Sequence, residues 1–234
     1  MAHELGRQIP TTQWSLIAQG KAGLSTLFSR YRPALLAHLI IRNRCRPEDA
    51  EDVLQGFIAS QILEKDLIEG ADPPRGKFRT YLLTALDRYL SNHRRHNAAS
   101  KRSAGSPMMD VDDPATAAMA KEDASNAYEL AWARQLLGEA IQRMERECLE
   151  GKRKDMWQIF EERLILPLLG DGPSPSYEEL VHKYSLSSPT QASNLLITGK
   201  RMFIRILRNV VSEYVHSDQE IDEEIADLMK ALGN

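Results

Sequence analysis

Residues 72–102, DPPRGKFRTYLLTALDRYLSNHRRHNAASKR, couple a regular apolar stripe to dense positive charge. After the Pro73-Pro74 break, Phe78, Tyr81, Leu82, Ala85, Leu86, Tyr89 and Leu90 recur at three- and four-residue spacing, which predicts a helix with these side chains on its core side. The opposite side carries Arg79, Thr80, Thr84, Asp87, Arg88, Ser91 and Arg95, and His93, Arg94, Lys101 and Arg102 extend the charge. Asp87 is the only acid in the stretch after Asp72. Such a face suits phosphate, and the Asn, Ser and His groups among the arginines can hold unstacked bases. Tyr81 and Tyr89 lie on the core stripe and are expected to pack.

The whole chain has 234 residues and a net charge of -3, which by itself does not favour nucleic acid. The charge is segregated, however. Acid collects at 48–52, 110–123 and 218–227, and base at 75–102 and 200–208. The longest apolar runs, 34–41 and 164–169, are too short to span a bilayer, and MAHELGRQIP lacks an apolar signal core, so a cytoplasmic protein without membrane insertion is expected. Cys45 and Cys148 stand apart without metal-ligand spacing, which predicts reduced, structural cysteines and no zinc site.

Upstream, the sequence from Thr11 predicts a short helix and then a longer one through Arg30-Tyr31-Arg32. Pro47-Glu48-Asp49 then opens another helix, with an acidic first turn matched to the positive end of the helix dipole. Its stripe is Ala50, Val53, Leu54, Phe57, Ile58 and Ile62; Asp49, Asp52, Gln55, Gly56 and Ala59 line a second side, polar then small, that a partner helix could approach closely.

Tyr31-Arg32-Pro33, the run 47–57 (PEDAEDVLQGF) and the run 75–82 (RGKFRTYL) resemble, in order and spacing, the second sigma domain of extracytoplasmic-function (ECF) sigma factors of bacterial RNA polymerase. The resemblance implies that the helix at 48–57 docks on core polymerase through Asp49, Asp52, Gln55 and Gly56. It also implies that Lys77, Arg79, Arg88, Ser91, Asn92, Arg94 and Arg95 melt and hold the minus-ten promoter element.

Residues 101–126 are rich in Ala, Ser, Asp, Gly and Pro and read as a flexible acidic linker. Beyond it, Ala133, Leu136, Leu137, Ala140, Ile141, Met144 and Cys148 form a helical stripe, and Trp157, Phe160, Leu164 and Ile165 a further helix expected to end before Pro167. Ser176-Tyr177-Glu178-Glu179 and Ser188-Pro189-Thr190-Gln191 are capping boxes that start two helices across a short turn, a helix-turn-helix pattern. In the second helix Ala192, Leu195, Leu196, Gly199, Met202, Phe203, Ile206 and Val210 are expected inside. Gln191, Asn194, Thr198, Arg201, Arg205 and Arg208 form an outward row with amides ahead of arginines, as a helix entering the major groove by its N-terminus requires.

This half is similar to the fourth sigma domain, which implies contact with the minus-thirty-five element through Thr190, Gln191, Ser193, Asn194, Thr198, Lys200, Arg201 and Arg205. Many members carry a more arginine-rich recognition helix, so the promoter consensus of the family does not transfer. The tail, 217–234, opens on a third capping box (Ser217, Glu220) and aligns Ile221, Ile225, Leu228 and Leu232 as a short acidic amphipathic helix. Its acids are opposite in sign to the arginines at 201–208.

The expected architecture is all-α: sigma domain two at 1–100, a flexible linker at 101–126, sigma domain four with its helix-turn-helix at 127–216, and the acidic helix at 217–234. The expected activity is promoter selection and DNA melting with core RNA polymerase and promoter DNA as partners, by binding alone. Whether an anti-sigma protein, a regulatory kinase or the tail controls it is left open by the residues. A phosphoryl-transfer or nuclease enzyme would need a Gly-rich phosphate loop or clustered carboxylates, and neither is present; His93 and His96 lack a third ligand nearby. No catalytic residue, metal or cofactor is therefore expected. A stand-alone helix-turn-helix regulator is the alternative, and it leaves the 48–57 helix without a task.

Overall fold

A computed structural model describes residues 21–43, 46–63, 77–103, 114–213, 215 and 217–233. The fold is all-α, with no strand among the described residues. These residues fall into two compact units, 21–133 with 228–233, and 134–227. The predicted helix beginning at Thr11 lies outside the described residues, as does Cys45.

In the first unit, α1 (Lys21–Asn43), α2 (Pro47–Phe57) and α3 (Phe78–Ser103) pack their apolar faces together, and α4 (Pro114–Glu150) contributes its first half. The expected stripe of α3 is core: Leu82, Ala85, Leu86 and Leu90 are buried, as are Tyr31, Leu35 and Leu39 of α1 and Ala50, Leu54 and Phe57 of α2. Tyr81 and Tyr89 are half-buried; Tyr89 sets its ring edge against Phe57 at 5.6 Å and stacks on His93. Pro47 sits in the first turn of α2, where its missing N–H costs no helical bond. From Ile58 to Leu63 the helix relaxes into a π-helical turn, and Ser60 Oγ donates to the Gly56 carbonyl at 2.8 Å.

The linker expectation needs correction at both ends, while its middle, 104–113, lies outside the described residues. Residues 101–103 complete α3, and 114–126 are the first turns of α4. The reason lies in the composition: Pro114 can open a helix, and the alanines at 115, 117, 118, 120, 124 and 127 are the strongest helix formers, with no Gly or Pro among them. Ala124 and Tyr128 are fully buried, so even these turns have a core side. The division between the two units falls after Ala133, within this helix.

In the second unit, α4 contributes Leu136, Ala140, Met144 and Cys148 to the core. α5 (Lys154–Phe160) adds Met156, Trp157, Ile159 and Phe160, then runs through a π-helical turn, Glu161–Ile165, into a last turn, Leu166–Leu169. The helix does not end before Pro167 as expected. In α geometry the proline would leave the Arg163 carbonyl without its N–H partner, and Ser174 Oγ donates to that carbonyl instead, at 3.2 Å. Gly170, at φ 86°, then closes the helix in the left-handed conformation that a side chain would resist. Arg163 itself donates to the Pro175 carbonyl and lies over the Tyr177 ring at 4.3 Å, which fixes the loop ahead of the next helix.

Cys148 is buried beside Met202, with 3.8 Å between the sulfurs. Burial pushes its thiol above the ordinary cysteine range; Arg153 opposes the shift and Glu147 adds to it. At neutral pH the thiol stays protonated. In a Cys45→Ser variant a thiol reagent should therefore modify Cys148 slowly in the native chain and rapidly in urea, read by mass spectrometry; equal rates would contradict a buried thiol.

Candidate nucleic-acid interface

Two basic faces emerge, one in each unit. On α3 of the first unit, Thr80, Leu83, Thr84, Asp87, Arg88, Ser91, Asn92 and Arg95 line an open groove of about 540 Å³ that Lys121 of α4 completes. Arg88, Ser91, Asn92, Arg94 and Arg95 are all exposed, as the sequence predicts for a phosphate-facing row. Thr84 and Ser91 bond back to the carbonyls four residues earlier, so their hydroxyl protons are used within the helix. Arg94 donates to the Arg42 carbonyl at 3.3 Å in the last turn of α1, where a cation also meets the negative end of the helix dipole. Lys77 is half-buried just ahead of the helix.

Asp87, the one acid in the groove, is held by a wholly buried partner: His38 Nε2 lies 2.8 Å from its Oδ1. Burial alone would raise the Asp87 carboxyl. The hydrogen bond and charge of His38, with Arg42 and Lys121 adding to it, outweigh that penalty and hold it below the usual range. The groove therefore presents a carboxylate at neutral pH, and its net attraction for phosphate rests on Arg88, Arg95 and Lys121.

Arg79 stands apart from this face and corrects the outward row. It is 5% exposed, donates to Glu129 of α4 at 3.1 Å and lies 4.3 Å from the centre of the buried Trp132 ring. Tyr128 Oη donates to the Arg79 carbonyl at 3.1 Å, which ties the same two helices at a second point. The guanidinium is spent inside the fold because α4, which sequence reasoning treated as linker up to residue 126, supplies it with a carboxylate and an aromatic face.

On α2, Asp49, Asp52 and Gln55 are exposed along one side, and Arg46 reaches Asp49 at 3.4 Å. Gly56 is half-buried beside them. A Cβ at this position would lie 2.6 Å from Tyr89 Oη, so the glycine's lack of a side chain serves the approach of α2 to α3.

In the second unit α6 (Tyr177–Tyr184) and α7 (Pro189–Ser212) pack across a turn of four residues, 185–188. The first capping box is present in both halves: Ser176 Oγ accepts from the Glu179 N–H, and Glu179 accepts from the Ser176 N–H at 2.6 Å. Ser185 adopts the left-handed conformation at φ 52°, and the half-buried Leu186 returns its N–H to the Val181 carbonyl. The second box is shifted by one residue. Ser188 Oγ still accepts from the Gln191 N–H, but Gln191 Oε1 accepts from the N–H and the hydroxyl of Ser187, at 2.7 and 2.6 Å. With its carbonyl oxygen engaged there, Gln191 must release Ser187 before it can pair with both groups of an adenine edge, whereas the Asn194 amide is exposed one turn further on.

The inner face of α7 holds as expected, with Leu195 and Phe203 half-buried and Leu207 and Val211 joining the core. Gly199 lets α7 lie against Phe160, whose Cδ2 would be 3.2 Å from a Cβ there. Outward, Thr190, Gln191, Asn194, Thr198, Lys200, Arg201 and Arg205 are exposed and Ser193 is half-buried. Arg205 pairs with Glu147 of α4 at 2.7 Å. Arg208 pairs with Asp218 and Asp222 of α8 (Asp218–Gly233), whose own capping box Ser217–Glu220 is formed. Two of the tail's acids thus pair with Arg208, at the C-terminal end of the arginine row.

Sequence reasoning missed three features of these faces. Lys121 closes the α3 groove from a stretch read as linker. The side-chain partners of Arg79 lie 50 or more residues away in sequence. Ile197 and Ile204 emerge on the outside of α7, at 45% and 57% exposed, among a row expected to be polar; their offset from the inner stripe was visible in the helical spacing. Among the described residues no cluster of His, Cys, Asp and Glu could hold a metal ion, and no helix is long and apolar enough to cross a membrane. No protein family, curated protein or solved structure matches the chain.

Proposed function

We propose that the chain is a promoter-specificity subunit of bacterial RNA polymerase of the ECF sigma type: α6 and α7 form a helix-turn-helix that reads duplex DNA in the major groove, α3 holds the melted strand, and α2 docks on core polymerase. The observation that supports it most is the outward face of α7. From a capped N-terminus it presents Thr190, Asn194 and Thr198, then Arg201 and Arg205, while its apolar side is buried. Base-bonding groups near the N-terminus and phosphate-bonding groups behind them are what a recognition helix needs. The α3 groove adds a second basic face, on a separate unit, whose Asn and Ser groups suit unstacked bases. The surface pairs that hold Arg205 and Arg208 are exposed and weak, so phosphate can displace them.

The test is promoter-dependent initiation by the full chain with core polymerase on DNA selected from a random library. Replacing Arg88, Arg94 and Arg95 by Ala should weaken single-strand binding and flatten its salt dependence by about 0.7 in log–log slope for each phosphate that is no longer neutralised. Transcripts without the added chain, or none with it, would end the sigma reading. Sequence-specific DNA binding without any polymerase association would instead point to a stand-alone regulator.

A further inference from the structure

The centre of the outward face of α7 is a single line, Thr190, Asn194, Ile197, Arg201, Ile204 and Arg208, alternating four- and three-residue steps. Ile197 stands in the middle of its polar part. It is 45% exposed, one turn from Asn194 on one side and from Arg201 on the other, with Thr198 and Lys200 flanking it. The other apolar residues of the N-terminal turns, Ala192, Leu195 and Leu196, face the core or its edge. An isoleucine at the contact line of a helix suited to the major groove meets one apolar group there, the thymine 5-methyl; every other feature of the groove floor is a donor, an acceptor or a ring edge.

We propose that Ile197 reads the 5-methyl group of a thymine, beside an adenine read by Asn194, so that α7 selects neighbouring A·T pairs. The inference rests on the DNA-reading role given to α7 above and names what it reads. Asn194 and Ile197 are separated by about 4.5 Å along the helix axis. That is close to the roughly 3.4 Å step between bases on one strand, so the two side chains address adjacent pairs. Asn194 carries the amide that matches adenine N6 and N7 together, whereas Gln191 has its oxygen engaged by Ser187. Ile204 lies about 10 Å beyond Ile197, past the N-terminal turns through which a recognition helix touches base edges. Arg201, between them, is placed for phosphate and orients the line without reading the methyl.

The experiment uses the full chain with core polymerase and a duplex enriched from a randomised library. Each thymine of that duplex is replaced in turn by deoxyuridine, which removes the methyl and leaves the pairing unchanged. At one or two positions wild type should lose about fourfold in affinity, the worth of one buried methyl. Ile197→Ala should bind the parent duplex about as weakly as wild type binds the uracil duplex and should no longer distinguish the two. Ile197→Val, which keeps a methyl at the branch, should retain the discrimination. The side chain is exposed, so neither change threatens the fold, and unaltered helical circular dichroism verifies that. Enrichment of a sequence with no thymine sensitivity, or with sensitivity that survives in Ile197→Ala, overturns the assignment of Ile197 while leaving DNA reading by α7 in place. Failure to enrich any sequence overturns both.

Discussion

Arg79→Ala should destabilise the chain by about 2–4 kcal/mol, the largest effect expected from any single arginine of α3. The guanidinium is buried, bonded to Glu129 and laid over the Trp132 ring. Truncation removes the pair and the stack together and empties the space between α3 and α4. Removing one partner of a buried pair typically costs about 3–5 kcal/mol, mostly because the other charge is left without compensation. Here Glu129 keeps 33% of its side chain in water, so its carboxylate recovers some hydration and the expected cost centres on the lower end of that range. Lys at the same position keeps the charge but not the planar stack and should fall between the two. Arg88→Ala, on the exposed face of the same helix, should change stability by less than about 0.5 kcal/mol while weakening nucleic-acid binding. Urea unfolding followed by far-ultraviolet circular dichroism measures all three. An Arg79→Ala protein that unfolds with wild type yet loses DNA affinity would put this residue back on the nucleic-acid face.

Reversing two charges on α2 should have the largest effect on assembly. Asp49 and Asp52 are exposed, and neither belongs to the buried stripe of Ala50, Leu54 and Phe57. On the proposed function they face the polymerase, so Asp49→Lys with Asp52→Lys should reduce association with core enzyme by roughly a hundredfold or more, since two like-charge contacts replace two complementary ones. Part of the perturbation is internal. Asp49 sits in the first turn of α2 beside Arg46, and a cation there opposes the helix dipole, at a stability cost of about 0.3–1 kcal/mol. The milder pair Asp49→Asn with Asp52→Asn removes most of that penalty and should still weaken binding. Co-elution with core polymerase, alongside a thermal melt, separates impaired docking from impaired folding. Unchanged affinity in the reversed pair would remove α2 from the interface.

The periodic positions of the sequence determined the helices and most of their buried faces, because burial of an apolar stripe follows the helical repeat and needs no knowledge of the partner. The stripe of α3, the acidic start of α2, the caps at Ser176 and Ser217 and the inward set of α7 all stand where spacing places them. Local chemistry was less decisive wherever two neighbours compete for one role. At the start of α7, Ser187 and Ser188 are both able to pair with Gln191, and its side chain chooses Ser187, which engages the amide oxygen in the cap. Composition misled at 114–126, where abundant Ala and charge resemble a solvated linker, yet the same alanines favour helix once Ala124 and Tyr128 have a core to enter.

Only the tertiary structure decided which polar residues are available to a partner. Arg79 and Arg88 look alike in sequence, nine residues apart on one helix, but Glu129 and Trp132 capture the first and nothing in the local pattern announces a carboxylate and an indole 50 or more residues away. Gly56 reads in sequence only as a small residue on the second side of α2, and the fold sets Tyr89 against it. Ile197, apolar but outside the inner stripe, stands among polar groups because the buried face passes it by. The common reason is physical. Helical periodicity fixes the direction of a side chain about its own axis, while the desolvation and pairing that decide its role depend on which element lies in that direction.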